Sequence, residues 1–187
     1  MRVLGIDPGL TRCGVGVVDV RRDRSASLVH VGVIRSPVDA PVAERLATIA
    51  RGIRAVITEH APEVVAVERV FAQQNLSTVM GTAQASGVAL MLAAEAGLET
   101  ATHTPSEVKA AITGYGSADK LQVQTMVARV LRLDALPKPA DAADALALAL
   151  CHAWRGAPAP ASAGGALTPA QRAWAEAEKR GRRAPAR

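Results

Sequence analysis

Met1-Arg2-Val3-Leu4-Gly5-Ile6-Asp7-Pro8-Gly9 is the stretch on which the fold turns. Apolar side chains at 3, 4 and 6 point to both sides of an extended chain and make a strand buried on both faces, Asp7 closes it, and Pro8-Gly9 turns the backbone. The run Val64-Val65-Ala66-Val67-Glu68 repeats the design, with an acid at its end. Between the two lie β-branched or apolar stretches near 13–20 and 28–35, separated by Arg21-Arg22-Asp23-Arg24. From Pro41 to His60 the residues Val42, Leu46, Ile49, Ile53, Val56 and Ile57 recur at helical spacing. An antiparallel meander followed by a crossover helix lets the fourth strand lie parallel to the first. Asp7 and Glu68 then share one edge of the sheet, where open α/β sheets carry their sites.

Farther along, residues 75–96 read as a helix rich in small side chains (Gly81, Ala83, Ala85, Gly87, Ala89), which predicts close packing. A short fifth strand is expected near Leu98–Thr102. Thr104-Pro105-Ser106-Glu107 has capping-box spacing at the start of a helix, Gly114-Tyr115-Gly116 breaks it, and Ser117 is expected to cap the next. After Pro137 and Pro139 an Ala/Leu-rich helix runs from Asp141 to about Trp154, with Asp141 and Asp144 on one face of its first turn. The expected architecture is α/β, a mixed five-stranded sheet flanked by helices, over residues 1–155. Residues 156–187 read as a Pro/Ala/Gly linker and a basic, largely disordered tail ending in Lys179-Arg180-Gly181-Arg182-Arg183.

Composition narrows the class. With 187 residues the chain holds one domain with a full core, and its four aromatic residues leave that core to Val, Leu, Ile and Ala. No leader pattern and no apolar run of about 18 residues is present, so a soluble, cytoplasmic protein without membrane contact is expected. Cys13 and Cys151 form no C-x-x-C pair and are read as reduced and buried. The net charge of +5 belongs to the tail: residues 1–154 hold fifteen Lys/Arg against fifteen Asp/Glu. A neutral body with four acids in one place must carry its cations elsewhere, a bipolar surface suited to a phosphodiester.

Each acid alone has an ordinary explanation: a turn for Asp7, a helix cap for Asp141 or Asp144, an ion pair with Arg69 or Arg35 for Glu68. Together they are the ligand set of a two-metal nuclease. Four carboxylates held close repel one another unless cations compensate, and two Mg²⁺ ions supply four charges.

Five ordered motifs, Gly5-Ile6-Asp7-Pro8-Gly9, Val67-Glu68-Arg69-Val70-Phe71, Gly81-Thr82-Ala83-Gln84-Ala85, Gly116-Ser117-Ala118-Asp119-Lys120 and Asp141-Ala142-Ala143-Asp144-Ala145, resemble in order and spacing those of the RuvC family of Holliday junction resolvases. The resemblance spans roughly residues 1–155. It implies an RNase H-like fold and a homodimer. It also implies Mg²⁺-dependent paired nicking of four-way DNA junctions in recombination and repair, with two ions per subunit and Mn²⁺ as a substitute. The RuvA–RuvB branch-migration complex is the implied partner. Asp7, Glu68, Asp141 and Asp144 match the family's metal-binding carboxylates.

Lys120 follows a helix start, where the dipole disfavours a cation, and a phosphate would explain it. Lys109 holds a similar family position. Phe71, the one phenylalanine, lies in the polar stretch before Asn75 and is read as a stacking platform for an unpaired base, with Tyr115 a second candidate. The histidines at 30, 60, 103 and 152 have no metal-ligand spacing, and His152 is assigned to packing. Two rival functions are a catalytically silent junction-binding scaffold, against which the four intact acids count, and an actin-like phosphotransferase, which needs two such domains.

Overall fold

A computed structural model describes residues 1–70 and 76–156. Five strands, β1 (Arg2–Asp7), β2 (Arg12–Val20), β3 (Ala26–Arg35), β4 (Val64–Glu68) and β5 (Glu99–His103), form one sheet in the order β3-β2-β1-β4-β5. The first three make the expected antiparallel meander. The 19-residue helix α1 (Val42–His60) then carries the chain across, so β4 runs parallel to β1 and β5 parallel to β4. This is the RNase H-like arrangement.

The two-residue period of the strands sorts the core into two layers. Leu4 and Ile6 of β1, Val15 and Val17 of β2, and Val65 and Val67 of β4 face α1 and α2 (Leu76–Glu95). Val3, Val18, Val64 and Ala66 face the other side, occupied by α3 (Pro105–Thr113), α4 (Lys120–Val130) and α5 (Ala140–Gly156). Asp7 continues the alternation of Val3 and Gly5, and Glu68 that of Val64 and Ala66, so both acids come out on the α5 side.

Helix α5 is sandwiched between the sheet and the α3–α4 pair, which is why it is apolar all round: Ala142, Ala143, Ala145, Leu146, Ala147, Ala149, Leu150 and Cys151 are buried. It sits directly on backbone. A Cβ at Gly5 would overlap the Ala145 carbonyl oxygen, one at Gly14 the Asp141 carbonyl oxygen, and one at Gly16 would lie 2.8 Å from Leu146 Cδ2. These glycines are needed for close approach. At the far end of α5, the Trp154 indole donates to the Arg24 carbonyl at 3.2 Å while the Arg24 guanidinium lies 5.4 Å from its ring centroid, tying the β2–β3 turn down.

One expectation needs correction. Helix α4 is capped by Asp119, not Ser117: Asp119 accepts from the Gln122 amide at 2.8 Å and Gln122 Oε1 accepts from the Asp119 amide at 2.9 Å, a full capping box. An Asp directly before the helix outcompetes a Ser two residues farther away. In α2 the small residues divide: Ala85 and Ala89 are buried and a Cβ at Gly81 would come within 3.3 Å of the Leu10 side chain, the close packing expected, whereas Ala83 and Gly87 are exposed. The buried ones fit the helix onto its own sheet and leave another face outward. The Thr104–Glu107 capping box is as expected, and Cys13 and Cys151 are free and buried. No helix among the described residues is long and apolar enough to cross a membrane.

Candidate metal and phosphodiester site

The end of β1, the end of β4 and the start of α5 meet at one cleft. Its volume is about 340 Å³, and its lining includes Asp7, Glu68, Asp141, Asp144, Lys109 and Lys120. All four acids and both lysines singled out in the sequence are thus brought together. Tyr115, 47% exposed at the end of α3, is not among the lining residues, and Phe71 lies outside the described residues.

The acids strain one another. Burial, reinforced by Glu68, Asp144 and Asp141, pushes the Asp7 carboxyl up to about 8, an effect that Lys120 only partly offsets. Burial and the Asp144 charge raise Glu68 as well. Asp141 and Asp144 lie at the N-terminus of α5, where the helix dipole favours them, and each has a cation. Lys120 Nζ lies 3.1 Å from Asp144 Oδ2, and the charge of Asp144 raises the lysine's own pKa. Arg12 Nε lies 2.9 Å from Asp141 Oδ2.

Hard divalent cations take oxygen ligands, and four carboxylates from three separate segments supply them. Four acids against the two lysines of the cleft leave it net negative, so the donor set fits a divalent metal. Among the described residues, no three of these acids converge as one ion's ligand set would require. With Arg12 on Asp141 and Lys120 on Asp144, gripping an ion means exchanging those partners.

Arg12 escaped the sequence reading. Its signal was position: β2 returns antiparallel with Gly14 opposite Asp7, so Arg12 overhangs the end of β1. His103, set aside with the other histidines, is in register with Glu68, and its Nε2 lies 3.2 Å from His152 Nδ1.

The family profile described as Crossover junction endodeoxyribonuclease RuvC matches residues 3–152. A protein of that name from Leifsonia xyli subsp. xyli is 64% identical, the alignment covering 96% of this chain and 92% of the relative. One from Nocardioides sp. is 66% identical over 83% of this chain and 88% of its own. Among solved structures, T. thermophilus RuvC in complex with Holliday junction substrate superposes with a TM-score of 0.79 at 39% identity, covering 83% of this chain and 94% of that one. The yeast mitochondrial Holliday junction resolvase Ydc2, 13% identical over 80% of this chain and 77% of its own with a TM-score of 0.57, shares the fold.

Proposed function

The chain belongs to the RuvC family of crossover junction endodeoxyribonucleases, and from that premise we propose that it resolves four-way DNA junctions by paired, symmetric nicks that leave 5′-phosphate and 3′-hydroxyl ends. The observation that carries this reading is the single cleft in which Asp7, Glu68, Asp141 and Asp144 meet Lys120. The four carboxylates would hold two Mg²⁺ ions per subunit, with Mn²⁺ able to replace them. When bound, those ions supply the Lewis acidity that activates water and stabilises the departing oxygen of an in-line phosphodiester displacement.

The chain's own residues do the rest. Lys120, at the first position of α4, faces the carboxylates and can neutralise a phosphate oxygen together with the amides of that helix start. Lys109 adds a second cation to the same wall. Phe71 would stack on a base unpaired at the crossover, with Tyr115 a further contact. Residues 156–187, all but the first outside the described residues, carry a Pro/Ala/Gly-rich run and a basic end that would add salt-sensitive affinity for duplex.

Two strands must be cut and the described residues of each chain gather one set of four acids, so the active form is a homodimer with a two-fold axis through the crossover. Helix α2 offers the face for it: Met80, Gln84, Gly87 and Met91 recur at helical spacing, and Met80 and Met91 are 59% and 49% exposed. Cooperation with a RuvA–RuvB complex in the cytoplasm follows from the family resemblance. A catalytically silent scaffold would have no need for four acids gathered in one cleft.

The test uses a labelled four-way junction and a matched linear duplex, each incubated with protein in Mg²⁺ or EDTA. Metal-dependent nicks confined to the junction, symmetric about the crossover, are expected. Binding without nicking in both Mg²⁺ and Mn²⁺ would overturn the assignment in favour of the scaffold.

A further inference from the structure

Beside the metal cleft lies a second groove of about 610 Å³ that shares Asp7 and Asp141 with it and is also lined by Thr11, Arg12, Arg45 and Thr82. Arg45 is fastened in place: its Nη2 donates to Thr11 Oγ1 at 2.7 Å and its Nε to Ser36 Oγ at 3.1 Å. Arg12 differs. Its side chain is 56% exposed and its guanidinium meets Asp141, one of the two carboxylates common to both cavities.

We propose that Arg12 is a two-position cation that couples metal loading to capture of the DNA backbone, a step that rests on the nuclease reading above. In one position it neutralises Asp141. When a divalent ion takes Asp141 as a ligand, the guanidinium is displaced into the adjoining groove and binds a backbone phosphate of the strand lying across the site, beside Arg45. Arginine suits this exchange because its planar fork matches carboxylate and phosphate alike and it keeps its charge throughout. The exchange is easy because an ion pair this exposed contributes little on its own. Metal and DNA then favour one another, and the coupling must be equal in both directions.

The experiment uses the full chain, folded as judged by circular dichroism, with Mn²⁺ binding followed by electron paramagnetic resonance in the absence of DNA. Loss of binding in Asp7→Asn assigns the titration to this cleft. Arg12→Ala should bind Mn²⁺ roughly two- to fivefold more tightly than wild type, the competition of one exposed ion pair being removed. Junction affinity is then measured in EDTA and in Ca²⁺. The wild type should gain affinity on adding Ca²⁺, and Arg12→Ala should gain less by a similar factor. Unchanged or weaker Mn²⁺ binding by Arg12→Ala overturns the proposal, as does a Ca²⁺ gain equal to that of wild type. A wild-type chain that binds no Mn²⁺ overturns the nuclease reading and this one with it. Tight Mn²⁺ binding without any nicking overturns only the former.

Discussion

Asp7 is the residue on which the charge balance of the cleft depends. Its carboxyl, pushed from an ordinary 3.8 to about 8 chiefly by burial, keeps its proton in the folded chain over a range where the unfolded chain has lost it. The stabilisation this represents is fully present below 3.8, declines as pH rises, and is gone once pH passes about 8. Without divalent ions, the melting temperature of the wild type should therefore fall between about pH 5.5 and about pH 8.5. Asp7→Asn, which cannot ionise, should fall less, and Mg²⁺ should rescue the wild type at the higher pH while doing little for the variant. Equal slopes in a differential scanning calorimeter would remove Asp7 as the group holding the proton. The same substitution should cut nicking at least about a hundredfold, because a metal's contribution is worth several kcal/mol and 1.36 kcal/mol is tenfold. Junction binding, supplied by phosphate contacts elsewhere, should survive in a gel-shift assay.

At the level of elements, the site depends on how low α5 rides on the sheet. Gly5 and Gly14 let its first turn and body rest on the backbones of β1 and β2, which brings Asp141 and Asp144 to the ends of the strands that carry Asp7 and Glu68. Gly5→Ala must push the Ala145 backbone away and should cost about 1–3 kcal/mol, as overpacking does. It should also lower metal affinity by lifting two ligands. Urea denaturation measures the loss; a Gly5→Ala chain as stable as the wild type would mean that α5 can lift off β1 without cost.

For the whole molecule the open question is symmetry. One cleft makes one nick, and the outward face of α2 is the surface proposed to bring in the second. Met91→Arg would set an unpaired charge at the centre of that contact, where burial costs several kcal/mol, and should weaken the dimer about a hundredfold. Sedimentation should then show monomer at concentrations where the wild type is dimeric, with circular dichroism unchanged and coordinated double cleavage replaced by single nicks. A variant that remains dimeric moves the interface off this face.

The alternation of Val3 with Leu4 and of Val64 with Val65 was enough, in the sequence alone, to put Asp7 and Glu68 on strand ends. The crossover helix made those strands parallel. Such features are legible because strand and helix periods, turns and caps are local, decided within a few residues of one another. The grouping of acids into one cleft was an inference from chemistry until α5 could be seen resting on Gly5 and Gly14. Local pattern misassigned the cap of α4 to Ser117. It could not reveal that Asp141 belongs to Arg12 and Asp144 to Lys120. Ionic partners are chosen by approach through space between segments far apart in the chain, and that approach depends on backbone packing that no window of sequence contains.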